Sequence, residues 1–265
     1  MRFYLLCFLL ITNTSVFSQN FTKYSIGATI SGVVTNTMDF SSSNKIVKGN
    51  QTFSQYNDSV SSYKSYRTSI GATLWAHMLI NKVWSVQAGI GYIDVGFQRN
   101  QTNIQYLDPL FPGIGSKGRL LEKSNSSKSI DYNYRYQYLT IPILFNYDVY
   151  ASKDFFYKLS ITGGVGLNFL MHHDIKANLY QFVVEGKDVY NLDSTGYEGR
   201  RLALSMMLGA KGEYRMDKKT IFYIMPVFGL YPIPVTKTEI STLPYYLQLN
   251  IGIQYAFDFA EEKKR

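Results

Sequence analysis

Residues with catalytic or metal-binding side chains are sparse in this sequence. His172 and His173, followed by Asp174, form the only cluster that resembles a metal site. A closed site needs about four ligands, and no neighbouring residue suggests the others. We therefore predict no metal-binding residues.

His77 is the other residue that could do chemistry, as the general base of an enzyme acting on lipid. Such a base needs a nucleophile within reach and a third group that orients it. No Ser or acidic residue is spaced along the sequence to suggest a triad with His77. A histidine satisfied by polar neighbours is the simpler interpretation, and we predict no catalytic residue.

The glycine-rich stretch ITGGVG, residues 161–166, has some likeness to a phosphate-binding loop. Such a loop continues into Lys and then Ser or Thr, which are absent after this stretch. Glycines within a strand allow close packing of backbones instead. The sequence therefore predicts no cofactor and no cofactor-binding residues.

The first eighteen residues, 1–18, predict a secretory signal peptide that is removed. One basic residue, Arg2, precedes an apolar run at residues 3–11 that ends in small residues. This run is shorter than the roughly 20 residues of a membrane-spanning helix. The single cysteine, Cys7, lies within it, so the mature chain has no disulfide, thiolate nucleophile or cysteine metal site.

Alternation of apolar residues with small or polar residues dominates the rest of the chain. This period of two predicts strands whose two faces meet different environments. The clearest run sets Leu247, Leu249 and Ile251 against Gln248 and Asn250. This run extends over residues 247–259. Similar runs lie near residues 24–31, 70–80, 84–92, 137–147, 157–169 and 202–211, and a less regular one lies near 220–231.

The connections between these runs alternate in length. Short links lie near 81–82, 148–154 and 215–219, and long links rich in Ser, Asn, Gly and Tyr lie near 37–66, 99–131, 171–199 and 232–244. Short periplasmic turns, long external loops and an even strand count are typical of outer-membrane barrels. We predict an all-β fold, an eight-stranded antiparallel transmembrane β-barrel with up-and-down meander topology. The barrel spans residues 19–259, and residues 260–265 form a charged periplasmic tail.

Two positions interrupt the alternation. The apolar phase shifts at Ile93, Val95 and Phe97, which predicts a β-bulge. Pro142 lies within a strand run and cannot donate to a ladder, so it predicts a bulge or an unpaired position.

The composition favours a membrane barrel over a soluble one. Aromatic residues make up 16% of the chain and charged residues 17%, against about 25% charged residues in soluble domains. The apolar faces end in Tyr, Phe or Trp, as in the interfacial girdles of transmembrane barrels. The opposite faces carry small residues with scattered Lys158, Lys211, Gln87 and Gln254, which could pair inside a narrow lumen. We predict a location in the cell outer membrane, in contact with outer-membrane lipid.

The formal net charge of +8 could indicate a nucleic-acid partner. Within the four long loops, however, basic and acidic residues are equal in number. The surplus lies in the strands, the periplasmic turns and the tail, so we predict no nucleic acid as a partner.

The last strand carries a more specific motif. Asn250, Gly252, Tyr255 and Phe257 have the spacing of the C-terminal signal by which the barrel-assembly machinery recognises outer-membrane barrels. The chain continues beyond Phe257 to Arg265, which makes this signal internal.

Four segments resemble the PorT-like outer-membrane β-barrel family: QYLTIPILFNY, ITGGVGLNFL, LGAKGEY and LNIGIQYAFDF. The resemblance covers about residues 22–259 and implies an outer-membrane barrel. It carries no known catalytic residue, and it implies a link to type IX secretion through one family member.

The predicted function is that of a non-enzymatic scaffold in the outer membrane. Its surface loops would bind an envelope protein or a glycan partner, since binding residues concentrate in loops. The first alternative is an outer-membrane enzyme that modifies lipid. The second is a pore for small solutes, although an eight-stranded lumen is only just filled by its side chains.

Overall fold

A computed structural model of the chain describes ten segments: residues 24–40, 46–48, 51–52, 64–104, 128–152, 156–179, 182–185, 198–217, 219–237 and 241–257. The predicted signal peptide and charged tail lie outside them. Within these segments no helix is both long and apolar enough to span a membrane.

A closed ring of eight antiparallel strands forms the fold, as predicted. The strands are β1 Tyr24–Phe40, β2 Arg67–Leu79, β3 Trp84–Ile104, β4 Lys128–Ala151, β5 Tyr157–Leu179, β6 Leu202–Arg215, β7 Thr220–Leu230 and β8 Ser241–Phe257. Each strand pairs with its neighbours in the sequence, and β1 also pairs with β8, with Ile30 opposite Ile251. This last pairing closes the ring and leaves neither β1 nor β8 as an open edge.

The side chains alternate between the outside and the lumen as the sequence predicts. On β6, Leu208 is 63% exposed on the outside, whereas Ser205 is 1% exposed and faces inward. Large apolar side chains on the other strands are exposed in the same way, among them Ile30, Ile70, Leu74, Ile161, Leu249, Ile251 and Ile253. An apolar exterior around a polar interior is the arrangement of a barrel surrounded by lipid.

The periplasmic turns are tight and are capped by side chains. In the β2–β3 turn, Asn81 Oδ1 accepts hydrogen bonds from the backbone of Val83 and Trp84. In the β6–β7 turn, Asp217 Oδ1 accepts from the backbone N–H of Lys219 at 2.7 Å and of Thr220 at 2.8 Å. The pKa of Asp217 is lowered because these N–H groups stabilise its carboxylate.

β3, β4 and β5 are much longer than the other strands, with 21, 24 and 23 residues. A tilted strand crosses a membrane in roughly 9–11 residues, so about half of each extends beyond the bilayer. The loops predicted at 99–131 and 171–199 are therefore shorter than expected, because strand residues occupy both ends of the first and the start of the second. Two short strands flank this extension: Lys64–Ser65 pairs with β3 and Phe182–Glu185 pairs with β5.

The polarity of the two faces is reversed in this extension. Ile93, Val95 and Phe97 are buried on the inner face, although the lower half of β3 turns small or polar residues inward. The bulge predicted at Ile93 is confirmed on one side of β3 only. β3 keeps one register with β4 from Trp84 to Gln101, whereas its register with the preceding strands shifts by one residue between Tyr92 and Gln98. The inner face of β3 continues without a break, so the apolar phase changes because the surroundings of the strand change.

Pro142 occupies an unpaired position, one of the two outcomes predicted. The β3–β4 ladder lacks pairs at Gly89 and Ile90, opposite Pro142 and Ile141, and resumes in the same register. Toward β5, Pro142 stays in register opposite Gly166. The register of β4 with β5 shifts elsewhere, next to Tyr138 and Tyr150.

Candidate functional site

Four charged side chains form a cluster in the periplasmic half of the lumen. We call Asp148, Lys158, Lys211 and Glu213 the lumen cluster. Lys158 Nζ lies 3.0 Å from Glu213 Oε2 and 3.3 Å from Asp148 Oδ2, and Lys211 Nζ lies 2.7 Å from Glu213 Oε1. Two positive and two negative groups balance, as buried charges require.

Strand register brings the lumen cluster together. Glu213 lies opposite Lys158, and Lys211 lies opposite Ser160, on the paired strands β6 and β5. Ser160 Oγ donates to Asp148 Oδ1 at 2.7 Å, which ties β5 to β4. The sequence pointed to both lysines but not to Asp148 and Glu213. Glu213 follows Lys211 by two residues and so shares its face, a signal that would have identified it.

Lys211 also reaches the opposite wall of the lumen. Its Nζ donates to Gln87 Oε1 on β3 and to Gln254 Oε1 on β8, each at 3.3 Å. The pairing of these four predicted lumen residues is confirmed in part: Lys211 contacts both glutamines, and Lys158 joins Lys211 through Glu213. The ammonium group also lies 4.6 Å from the ring centre of Tyr223.

His77 has a serine neighbour that its sequence surroundings did not suggest. Ser25 on β1 lies opposite His77 on β2, and Ser25 Oγ is 3.3 Å from His77 Nδ1. Spacing along the sequence did not suggest this contact, because the two residues are brought together by strand pairing. Both oxygens of Glu213 are held by Lys158 and Lys211, so this carboxylate does not orient the imidazole as a triad acid does.

A small cavity opens beside these groups at the periplasmic end of the lumen. Its volume is about 60 Å³, and its lining includes Ser25, His77, Lys158, Glu213 and Gln254. The lining also includes Arg215, and its apolar part is formed by Leu79, Phe156, Ile221 and Ala256. The cavity is far smaller than the roughly 300–1,000 Å³ of sites for drug-sized molecules.

Above the lumen cluster, packed side chains close the barrel. Trp75, Leu144, Tyr223, Met225 and Val227 form a buried apolar cluster across the lumen. Thr29 Oγ1 joins two of its members, since Trp75 Nε1 donates to it at 2.6 Å and the Tyr223 hydroxyl lies 2.9 Å away. This layer separates the periplasmic cavity from the external half of the barrel.

The upper half of the barrel has an aromatic core. We call residues 93–104, 128–138 and 171–179, with Lys64–Ser65 and Phe182–Glu185, the external sheet. Its inner face buries Ile93, Val95, Phe97, Tyr132, Tyr134, Tyr136, Tyr138, Ile175 and Ala177. Phe97 stacks on Tyr134 with ring centres 4.4 Å apart, and the Arg99 guanidinium lies 4.4 Å from the ring centre of Tyr132.

The segment after β7 covers this core from above. Tyr231 and Val235 are fully buried in it. The backbone around Gly199 bridges to Thr236, and the Arg200 N–H donates to the Val235 carbonyl at 2.6 Å. This segment therefore packs against the aromatic core at the external end of the barrel.

The outer face of the external sheet is polar. It carries Gln98, Asn100, Asp131, Asn133, Arg135, Gln137, His172, Asp174, Lys176 and Asn178, all exposed or half-buried. Positive and negative groups alternate across it without a uniform patch. Such a surface suits water and a polar partner better than lipid.

A buried ion pair marks the level at which the polarity reverses. Arg67 at the start of β2 makes two hydrogen bonds to the Asp94 carboxylate, at 2.8 and 2.6 Å. Arg135, on the outer face, donates a hydrogen bond of 3.0 Å to the same carboxylate. Thr35 Oγ1 bonds the backbone of Gly96 at 2.7 Å, which links β1 to β3 at the same place.

His172 and His173 lie in β5, so the prediction that they belong to a loop is wrong. His172 is exposed, whereas His173 stacks on Tyr136 with ring centres 4.8 Å apart. Consecutive strand residues point to opposite faces, so the two imidazoles do not converge on one ion. Among the described residues no group of His, Cys, Asp and Glu is arranged to hold a metal.

Comparison with solved structures returns several outer-membrane proteins. Neisserial surface protein A has 7% identity over 88% of this chain and 97% of its own, with a TM-score of 0.40. OprG from Pseudomonas aeruginosa has 10% identity over 91% and 100%, with a TM-score of 0.42. The outer membrane protease OmpT from Escherichia coli has 8% identity over 92% and 99%, with a TM-score of 0.35.

These likenesses are too distant to assign a role to any residue of this chain. No family model and no curated protein matches the sequence, so membership of the PorT-like family is not confirmed. The fold rests on the geometry itself: a closed antiparallel ring, an apolar exterior and a polar lumen. The chain is thus an integral β-barrel of the outer membrane.

Proposed function

We propose that this protein is a non-enzymatic scaffold that presents a binding surface outside the outer membrane. The observation that carries the proposal is the external sheet. Three barrel strands continue beyond the bilayer, bury an aromatic core on one side and turn a polar face to the other. Segments displayed at the surface in this way are where binding residues concentrate.

The partner we propose is an envelope protein or a surface glycan. The outer face combines the amides of Gln98 and Asn133 with the carboxylate of Asp174 and the ammonium group of Lys176. Such mixed polar groups match the rim of a protein interface or the hydroxyls of a sugar. On the basis of the resemblance to the PorT-like family, we further propose that this scaffold takes part in secretion.

The side chains that fill the lumen argue against the pore alternative. Two buried clusters occupy it at different heights, and eight strands leave little room for solutes. The enzyme alternative has one supporting observation, the contact of Ser25 with His77. Because Glu213 is engaged by two lysines, no described acid orients His77, and we do not assign a catalytic role to Ser25 and His77.

Site-specific crosslinking in intact cells tests the proposal. A photoreactive residue at Asn133 or Asn178, on the outer face of the external sheet, should capture a defined partner. The matched control is Ile251, which lies 46% exposed on the lipid-facing wall and should capture lipid alone. The result that favours the enzyme alternative has two parts. No crosslink forms from the external sheet, and His77→Ala fails to restore the function of the parent protein in a deletion strain.

A further inference from the structure

The wall of the lumen opposite the charged cluster carries donors that lack acceptors. We call Gln254, His77 and Gln87 the donor wall. His77 lies opposite Gln87 on paired strands, and Gln254 follows on β8, beyond β1. Gln87 Nε2, Gln254 Nε2 and His77 Nε2 are all buried and have no hydrogen-bond partner among the described residues.

The orientation of the two amides is fixed by chemistry. Lys211 Nζ can only donate, so the atoms that it contacts on Gln87 and Gln254 must be carbonyl oxygens. The two NH₂ groups therefore point away from Lys211. Both glutamines are almost completely buried, at 0% and 1% exposure, so each NH₂ group needs an acceptor.

His77 lines the same cavity as Gln254 and can supply a further donor. When the Ser25 hydroxyl donates to Nδ1, the neutral imidazole carries its proton on Nε2. Gln254 and His77 both line the cavity of about 60 Å³ at the periplasmic end. One water needs a cavity of roughly 10–15 Å³, so this space holds one small ion or several waters.

The surrounding charges favour an anion over a cation. The lumen cluster is neutral by itself, with Lys158 and Lys211 matched by Asp148 and Glu213. Arg215 adds a positive charge to the lining of the cavity and has no carboxylate partner among the described residues. Both oxygens of Glu213 are already occupied, so the cavity presents donors and few free acceptors.

We propose that this cavity binds one small monovalent anion, a halide or a carboxylate group, from the periplasmic side. Gln254 Nε2 and His77 Nε2 donate to the anion, and the positive charge of Arg215 attracts it. Lys211 acts indirectly by holding the amide of Gln254 in the donating orientation. This ligand site does not depend on the scaffold function proposed above.

Anion-dependent stability of the full-length mature protein in detergent tests the proposal. Thermal unfolding is followed while sodium chloride or sodium formate replaces sodium gluconate at constant ionic strength. Gluconate is too large for the cavity and keeps the screening of surface charges unchanged. The midpoint of unfolding should rise and then saturate with chloride or formate, and the more effective anion identifies a halide or a carboxylate site.

Two variants isolate the donor of Gln254. Gln254→Glu keeps an oxygen for Lys211 but removes the NH₂ group, and Gln254→Met removes it without adding charge. Each should raise the half-saturating concentration by at least about tenfold. The control is Gln248→Met on the same strand, whose amide already donates to Ser31 and Asn250 outside the cavity; its anion response should match that of the parent protein.

Crystals grown with sodium bromide provide the direct readout. An anomalous peak within hydrogen-bond distance of Gln254 Nε2 is expected in the parent protein and absent from Gln254→Glu. The proposal is overturned if chloride and formate act no differently from gluconate. It is equally overturned if Gln254→Glu and Gln254→Met keep the full response, or if only water occupies the cavity in bromide and formate crystals.

Discussion

The lower and upper halves of β3, β4 and β5 use the same backbone pattern with opposite chemistry. In the lower half, Ile90, Ile143 and Leu167 face outward and Gln87, Asn146 and Ser160 face inward. In the upper half, Phe97, Tyr134 and Ile175 face inward, and the outer face is polar. The register of β3 with β4 is continuous through the change.

The reversal shows that the medium around a strand decides which face is apolar. In the bilayer the outside meets lipid, and the inside must be small or polar to fit a narrow lumen. Above the bilayer the outside meets water, so the sheet needs an apolar core on its inner face like any soluble sheet. One strand therefore carries two opposite hydrophobic patterns in succession.

Among variants that distinguish the two halves, Phe97→Ala should cause the largest loss of stability. Phe97 is fully buried against Tyr134, and removing a buried aromatic ring costs roughly 3–5 kcal/mol. We expect the external sheet to become sensitive to added protease while the membrane-spanning half stays folded. Urea titration in lipid vesicles measures the change in the free energy of unfolding.

Ile90→Ala on the same strand is the matched variant. Ile90 is 50% exposed on the lipid-facing wall, and lipid chains fill the space that its side chain leaves, so no cavity forms. The loss should be well below that of Phe97→Ala. Equal losses in the two variants would contradict the division of β3 into two media.

A charge on the outer wall gives the next largest effect. Leu208→Arg places a guanidinium near the middle of β6, where Leu208 is 63% exposed to lipid. Such a change costs roughly 2–4 kcal/mol at the bilayer midplane. Asn178→Arg on the external sheet should stay within about 0.5 kcal/mol, because its side chain already meets water.

Folding yield in vesicles and the unfolding midpoint in urea measure both arginine variants. A large loss of stability in Asn178→Arg would mean that lipid surrounds the upper half too. If Leu208→Arg is as stable as the parent protein, the lower half is not surrounded by lipid.

The smallest effect concerns the turns that join the lower strands. Asp217→Ala removes the acceptor for the backbone N–H groups of Lys219 and Thr220 and should lower the unfolding midpoint slightly. The pKa of Asp217 is lowered in the folded state, so its contribution is present above about pH 4, the usual value. It is lost as the pH falls through the lower, folded pKa.

Asn81→Ala provides a comparison that does not depend on pH. Asn81 caps the β2–β3 turn through the same two kinds of backbone bond, but its amide carries no charge. The midpoint difference between Asp217→Ala and the parent protein should vanish in acid, whereas that of Asn81→Ala should persist. Thermal unfolding at a series of pH values measures both.

Much of the lower barrel could be read from the sequence. The strand count, the ring topology and the facing of Leu208, Ser205 and Gln254 follow from a period of two alone. In the upper half, the reversed apolar phase at Ile93 was attributed to a bulge, although the surroundings of the strand cause it. Alternation records that two faces differ, but it does not record which medium each face meets.

The candidate sites depended even more on tertiary structure. Ser25 and His77 lie on different strands and meet only because β1 pairs with β2 in one register. Lys211 reaches Gln87 and Gln254 across the lumen, which requires a closed ring. His172 and His173 are adjacent in the sequence and therefore resembled a metal site. Adjacent strand residues point to opposite faces, so the two side chains do not meet.

The sequence by itself determined an antiparallel barrel with short turns on one side, because alternation and turn length are local properties of the chain. The tertiary structure alone decided which side chains meet across the lumen and where the strands leave the bilayer. Both depend on strand register and ring closure, which join residues far apart in the chain, such as Lys211 and Gln87. A pattern with a period of two contains no information about those distant partners.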